Sequence, residues 1–327
     1  MRVVVCAGYG GPDRLQLMER PEPVVKDDEI KIRIYAATVT AGDCEARRFD
    51  FPAFLWLPMR LFLGVFKPRK GVLGQEVAGE IVAIGDKVTR FQPGDKVYAA
   101  TLFRFGAYAE YICLPQTYPV SLIPDGLSFA QAATIPTGGV NALHFLRLAQ
   151  VKSGDRILIN GAGGSIGTYA VQLAKILGAT VDCSDSANKL EGLKRLGAER
   201  VFDYQSEDVF TQRASYDAVI DVVGKKATDD ALSALKVGGC YVLGAPSLGG
   251  MISASRRNKK GPGKILFEFA DYKPELLTAL NRWLSEGKLT PLIDREYPLA
   301  EVRAAHAYVD SGQKFGNLVI NVIPADQ

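Results

Sequence analysis

The stretch "LINGAGGSIGTYAVQLAK", residues 158–175, decides how this chain is read. An apolar strand pattern runs into a glycine-rich turn and then into a helical pattern, the setting of a dinucleotide-binding loop. Counted from Gly161, the spacing G-x-G-x-x-G fails, because Ile166 stands where the third glycine belongs. Counted from Ala162 it holds, as Ala162-x-Gly164-x-x-Gly167. The first position serves only the tight turn and tolerates alanine. The second lacks a side chain so that the backbone can approach a pyrophosphate, and the third lets the helix pack close to the strand. Ala162, Gly163, Gly164, Ser165, Ile166 and Gly167 are therefore candidate phosphate-binding residues, with the free N–H groups of the helix start attracting the anion.

Beyond this loop, strand and helix patterns alternate: "ATVDCS", "NKLEGLKRLG", "RVFDY", "YDAVIDVVG", "TDDALSALK", "GCYVLG". Several of the strands are continuous apolar runs, as when helices cover both faces of a sheet. The series predicts a doubly wound parallel sheet of α/β class. The first third reads differently. "DEIKIRIYAATVT", "AGEIVAIGDKVTRFQPGDKVYA" and "GAYAEYICLP" are short strands with frequent Gly-Asp and Pro turns, the rhythm of a small β-barrel or sandwich. Helical periodicity begins near residue 125, in "FAQAATIPTGGVNALHFLRLA". The tail holds the helices "PELLTALNRWLSEGKL" and "LAEVRAAHAYVDSG" and a closing strand, "NLVINVI", which we expect to complete the first domain. The expected domains are 1–124 joined by 274–327, and 125–273.

A net charge of +3 over 327 residues does not suggest a nucleic-acid surface. Five cysteines form no CxxC pair, which argues against a disulfide framework and a cysteine-ligated zinc lobe and suits the reduced cytoplasm. The opening "MRVVVCAGYGGPDRLQ" lacks the apolar run of a secretory signal. The apolar stretch "PAFLWLPMRLFLGVF", residues 52–66, contains Pro58 and Arg60 and is too short to span a bilayer, so it reads as a surface loop. Three roles are open to it: packing on the domain; a wall of Phe51, Phe54, Trp56 and Phe62 for a bulky apolar substrate; or peripheral membrane contact, with Arg60, Lys67, Arg69 and Lys70 at the headgroups. "SASRRNKKGPGK", residues 253–264, reads as a basic, solvated loop.

The identity of the nucleotide turns on the end of the second strand, "VDCSDSANK". Ser184 or Asp185 should meet the ribose, with Lys189 and Tyr204 nearby. A hydroxyl, a lysine and a tyrosine around one point suit the 2′-phosphate of NADPH. Asp185 opposes that reading, since a carboxylate there repels the phosphate and suits NADH.

Taken together, "VLGQEVAGEIVAIGDKVTRFQPGDKVYA", the Ala-x-Gly-Gly-x-x-Gly loop, "YDAVIDVVG", "FGAYAEYICLP" and "GLSFAQAATIPTGGVNAL" resemble the medium-chain dehydrogenase/reductase superfamily over nearly the whole chain. The resemblance is nearest to its zinc-free quinone oxidoreductase branch, the zeta-crystallin-like proteins. It implies a GroES-like β-barrel-type catalytic domain interrupted by a Rossmann domain. In the zinc alcohol dehydrogenases of the superfamily, Cys, His and Cys hold a catalytic metal. The matching positions here are Thr40, Gln75 and Thr137, so the resemblance implies no metal site. His144 and His306 fall in helical segments, as packing or surface residues.

The resemblance further implies that Thr40 and Gln75 face the nicotinamide as catalytic hydrogen-bond donors, although the zinc-free branch commonly carries Asn at the Thr40 position. It places Val223 and Gly224 by the adenosine, Gly244, Ala245, Pro246 and Phe267 by the nicotinamide, and Thr137 and Asn317 around the cofactor. Without a Lewis acid, hydride addition to a polarised double bond is easier than oxidation of a plain alcohol. The implied activity is NADPH-dependent reduction of a quinone or an α,β-unsaturated carbonyl. A metal-free alcohol dehydrogenase or ketone reductase and a non-catalytic NADPH-binding sensor are the alternatives. Relatives often form homodimers by extending the Rossmann sheet at its edge, for which "GCYVLGAP" is the candidate strand.

Overall fold

The structure is a computed structural model that describes residues 1–69, 71–224, 228–244 and 264–323. It divides into two compact units, Met1–Thr137 with Lys273–Gln327, and Gly138–Tyr272.

In the first unit, β1 (Arg2–Cys6) and β2 (Leu15–Glu19) form an antiparallel hairpin. A larger sheet is built on β3 (Glu29–Thr38), β4 (Glu76–Ile84), β5 (Lys96–Ala100), β6 (Tyr111–Pro115) and β7 (Val120–Leu122). The tail adds β14 (Ile293–Pro298) and β15 (Asn317–Asn321), giving the order β14-β15-β3-β4-β5-β7, with β6 on β3. The return of the tail thus has a concrete form: Val319 pairs with Thr38. The parallel strand β14 has no clear pattern in the sequence, because its residues lie at the sheet rim and none is buried. The barrel core is filled by alternate residues of these strands, among them Ile30, Ile32, Ile34, Val77, Ile81 and Val97.

Two helices connect β3 to β4. The first, α1 (Ala41–Arg48), starts with a capping box in which Thr40 and Asp43 satisfy each other's backbone N–H groups. The second, α2 (Ala53–Leu63), corrects the expectation of a loop over this apolar stretch. Pro58 lies inside it. A single proline removes only one donor from the ladder, and the rest of "AFLWLPMRLFL" contains no β-branched residue and no glycine.

The second unit carries the six-stranded sheet, in the order β10-β9-β8-β11-β12-β13 and parallel throughout. The strands are β8 (Arg156–Asn160), β9 (Thr180–Asp185), β10 (Arg200–Asp203), β11 (Tyr216–Asp221), β12 (Leu235–Leu243) and β13 (Lys264–Leu266). The direction of winding reverses between β8 and β11, and at such a switch point the carboxyl ends of the strands open a crevice. Helices α3 (Phe129–Ala133) and α4 (Ile135–Leu148) precede β8, and the helix after it, α5 (Ser165–Ile176), is buried along one face by Tyr169, Ala170, Leu173 and Ala174. "GCYVLG" lies in β12 and is covered by β13, so it is not the free edge that the dimer expectation required. That three-residue strand was hidden in "KILFEFA", too short to show a period.

Candidate active site

The glycine loop owes its shape to hydrogen bonds from strand β9. Gly161 N donates to Ser184 O at 2.9 Å, and Gly163 N to the Asp185 carboxylate at 2.7 Å. Gly161 has φ +80°, and a β-carbon there would sit 2.5 Å from Val223 Cγ2, so glycine is required. A β-carbon on Gly167 would lie 2.5 Å from the carbonyl oxygens of both Gly161 and Ala162, which fixes the close approach of α5 to the strand. Gly164 is different. A β-carbon there meets nothing nearer than Gly161 O at 3.7 Å, so protein packing does not demand the glycine. The space it leaves suits a ligand.

The N-cap of α5 is Gly164, which has no side chain to cap it, so the first turn presents backbone donors at that space. Beside it lies a cavity of about 490 Å³ lined by Asn160, Gly161, Gly164, Ser184, Asp185, Lys189, Tyr204, Val223 and the acids Glu207 and Asp208. Ser184 is buried, and its hydroxyl has no partner among the described residues. Such an orphan is costly unless a ligand satisfies it. The cavity, the bare Gly164 and the unpaired hydroxyl fit a nucleotide. Lys189 is not a solvated lysine: its side chain is 10% exposed and its ammonium lies 3.0 Å from Asp185. Asp185 in turn holds the loop through Gly163 and the chain through Ser186 N at 2.8 Å. The carboxylate that argued against a 2′-phosphate is thus neutralised by the lysine that argued for one.

Two further residues organise the switch point. Asp221, fully buried at the end of β11, accepts from Asn160 Nδ2 at 2.9 Å, Tyr241 OH at 2.7 Å, and the backbone N–H groups of Val223 and Gly224. Asn160 and Asp221 were not read as functional. The available signal was the pair of residues that end neighbouring strands, in "RILIN" and "YDAVID". Val223 lines the cavity and Gly224 takes φ +69°. Gly244 N donates to Asp221 O at 2.8 Å, and Phe267 follows β13 half-exposed. Ala245, Pro246 and the basic run 253–263 lie outside the described residues.

In the first unit, Thr40 and Gln75 converge on Gly42. A β-carbon there would be 2.9 Å from Gln75 Oε1 and 3.6 Å from Thr40 Oγ1. Thr40 Oγ1 donates to Asp43 Oδ2 at 2.8 Å while accepting from Asp43 N at 3.1 Å. Asp43 is fully buried, and its Oδ1 accepts no hydrogen bond. Burial, opposed by hydrogen bonds from Thr40 and the Tyr108 hydroxyl and aided by the nearby Glu76 carboxylate, raises its pKa from 3.8 to about 7. Glu76 is also buried, where it accepts from Thr38 Oγ1 and, at 2.6 Å, from Thr137 N. Its pKa is raised by burial, against those two hydrogen bonds and the charge of Lys314.

Behind Asp43, His306 places Nδ1 at 3.2 Å from Cys44 Sγ and Nε2 at 3.1 Å from Tyr108 OH. Burial lowers the His306 pKa to about 3, so the ring stays neutral. His144 faces the carbonyl of Glu268 at 3.2 Å. Asn317 is spent on structure, with its Nδ2 donating to Leu292 O at 3.1 Å. Asp43 and Glu76 went unread as site residues because nothing in "TAGDC" or "GQEV" announces burial.

Among the four aromatics expected to wall a substrate pocket, Phe51 and Trp56 pack with Phe49. The Arg60 guanidinium covers the Phe49 ring at 4.0 Å and Trp56 at 5.1 Å, so it turns inward rather than toward any headgroup. Phe62 faces Phe103 and lines a separate apolar cavity of about 360 Å³. Phe54 is half-buried on α2.

A zinc ion does not fit the donors at positions 40, 75 and 137. They are hydroxyl and amide groups, Thr40 already bonds Asp43, and thiolate and imidazole are lacking. Among the described residues no group of three or more His, Cys, Asp or Glu could hold a metal.

Comparison with known proteins agrees with this geometry. The family model described as "Alcohol dehydrogenase GroES-like domain" matches residues 26–125, and "Zinc-binding dehydrogenase" matches 196–320. A 2-methylene-furan-3-one reductase of Solanum lycopersicum is 33% identical, over 97% of this chain and 78% of its own. An NADPH-dependent alkenal/one oxidoreductase of Arabidopsis thaliana is 31% identical, over 99% and 80%. The solved quinone oxidoreductase of Coxiella burnetii superposes with a TM-score of 0.88 at 31% identity, covering 99% of both chains. With its barrel, its switch-point crevice and its metal-unfit positions, the chain belongs to the medium-chain dehydrogenase/reductase superfamily, in the quinone oxidoreductase branch.

Proposed function

We propose that this protein is an NADPH-dependent reductase of quinones and α,β-unsaturated carbonyls that works without a catalytic metal. The observation that carries the reading is the nucleotide-ready loop, with Gly164 bare and the Ser184 hydroxyl unsatisfied among the described residues; the first unit by itself holds neutral donors at Thr40 and Gln75. NADPH, when bound, supplies the hydride. Gly164 and the start of α5 hold the pyrophosphate, Ser184 the ribose, and Lys189 with Tyr204 the 2′-phosphate. Three of the named relatives reduce or bear the names of such acceptors, which supports the same substrate class.

The chain's own residues then have two tasks, to polarise the acceptor and to deliver a proton. The Gln75 amide donates to the acceptor oxygen, favouring electron flow toward it. While Asp43 is ionised it consumes the Thr40 proton. Once Asp43 is protonated it donates to Thr40 Oγ1 instead, and the Thr40 hydroxyl is released to donate to the substrate. With a pKa of about 7, both forms are present near neutrality. The hydride and this proton together balance the reduction of an enone to a ketone, and Asp43 is reprotonated from solvent.

The test follows NADPH absorbance with an enone, a quinone, and a simple alcohol plus NADP. Consumption with the first two and silence with the alcohol supports the reading. Turnover confined to the alcohol contradicts it, and nucleotide binding without any turnover assigns the chain to a sensor. All five cysteines are free and buried, which is consistent with a reducing compartment such as the cytoplasm.

A further inference from the structure

Helix α2 is unusual in having no buried residue although its sequence is almost wholly apolar. Trp56, Leu57 and Leu61 are exposed along it, and Phe62 extends the surface to Phe103. The turn that follows adds Val65 and Phe66, the latter 90% exposed. A contiguous apolar surface of this kind marks a binding face. We propose that the outer face of α2 and its following turn form a docking surface for an anionic lipid bilayer, entered to the depth of the headgroup boundary.

Charge selects this occupant over the others. Between Asp50 and Glu76 the sequence contains no acid and four bases, Arg60, Lys67, Arg69 and Lys70. Arg60 is drawn inward over Tyr9, Phe49 and Trp56, so the helix presents no charge of its own outward. The exposed Lys67 and Arg69 flank the apolar residues at the turn, where anionic headgroups sit around an inserted aromatic patch. A second copy of this chain would bring those same bases to the apolar contact, like against like. A small apolar ligand in the 360 Å³ cavity would cover Leu61, Phe62 and Phe103 from within, yet leave Leu57, Val65 and Phe66 uncovered, since none of these three lines it. With 11 residues, α2 does not span a membrane, and among the described residues no helix is long and apolar enough to do so. The contact is therefore with one leaflet only.

The experiment is flotation of the full chain with vesicles of phosphatidylglycerol and phosphatidylcholine, and with phosphatidylcholine alone. The wild type is expected to float with the anionic vesicles and to lose most of that binding in neutral vesicles or high salt. The double variant Leu57→Ser/Phe66→Ser alters only exposed side chains and should lower vesicle partitioning by about tenfold. Lys67→Glu/Arg69→Glu should abolish the preference for anionic lipid. Both variants should keep wild-type NADPH oxidation with a water-soluble enone. Wild-type protein that stays unbound, or a Leu57/Phe66 variant that floats as well as the wild type, would overturn the proposal. So would a concentration-dependent dimer lost in that variant, which would assign the face to a second copy.

Discussion

Asp182 and Asp43 are both fully buried, one in each unit, and they are satisfied in opposite ways. Asp182, on β9, accepts from Arg156 at 2.9 Å, Arg200 at 2.8 Å and Tyr216 at 3.0 Å, which ties β8, β9, β10 and β11 together. Among the described residues no cation pairs with Asp43, whose polar neighbours are Thr40 and the Tyr108 hydroxyl. Ion pairing inside the Rossmann sheet buys a fixed scaffold for the nucleotide, and Asp185 with Lys189 repeats the device at the edge of the cavity. In the barrel the uncompensated carboxyl keeps a proton near neutrality, a cost in stability that suits a group involved in chemistry.

The comparison breaks most sharply if the same substitution is made at both places. Asp43 is raised in the folded state, so its favourable contribution is fully present below about pH 4 and is lost as pH rises to about 7. Asp43→Asn should therefore remove a penalty on the order of 4 kcal/mol at pH 8 and flatten stability between about pH 4 and 7, as read by urea unfolding. Asp182→Asn should instead destabilise by about 3 kcal/mol at pH 8, because two arginines lose their counter-charge. Equal signs at the two sites would refute the contrast.

The next largest effect separates two glycines of one loop. Gly164→Ala should leave unfolding within about 1 kcal/mol of wild type yet weaken NADPH binding by roughly a hundredfold, since the new methyl fills the space proposed above for the pyrophosphate. Gly167→Ala should destabilise the protein itself, because its methyl meets backbone oxygens at 2.5 Å. Calorimetry of nucleotide binding beside thermal melts distinguishes the two.

Lys189 is the one cation lining the nucleotide cavity among the described residues, against Asp185, Glu207 and Asp208. Lys189→Ala should raise the KM for NADPH by about tenfold and leave that for NADH within about threefold. An equal loss for both would show that the lysine only holds Asp185. The smallest effect is expected from Ser184→Ala, about threefold in nucleotide affinity with unchanged or slightly improved stability of the free protein.

These contrasts also show what a sequence can disclose. The loop from Ala162 to Gly167 was legible because its glycine spacing sits between an apolar strand and a helix, and Gly167 admits no side chain against the backbone of Gly161 and Ala162. The doubly wound sheet and the returning tail were legible because apolar runs and turn residues repeat over long spans. Asp43, Glu76, Asn160 and Asp221 were not, since their roles come from partners far along the chain: Thr137 for Glu76, Tyr241 for Asp221. Helix α2 was hidden by its own proline, and by an exposed apolar face that no periodicity rule expects in a helix without a covering partner.

Nucleotide and neutral donors should suffice for the reduction. Exhaustive chelation of the purified protein, metal analysis, and then NADPH oxidation with an enone examine this together. Full turnover is expected with metal far below one ion per chain. Activity lost on chelation and restored by stoichiometric zinc would contradict it.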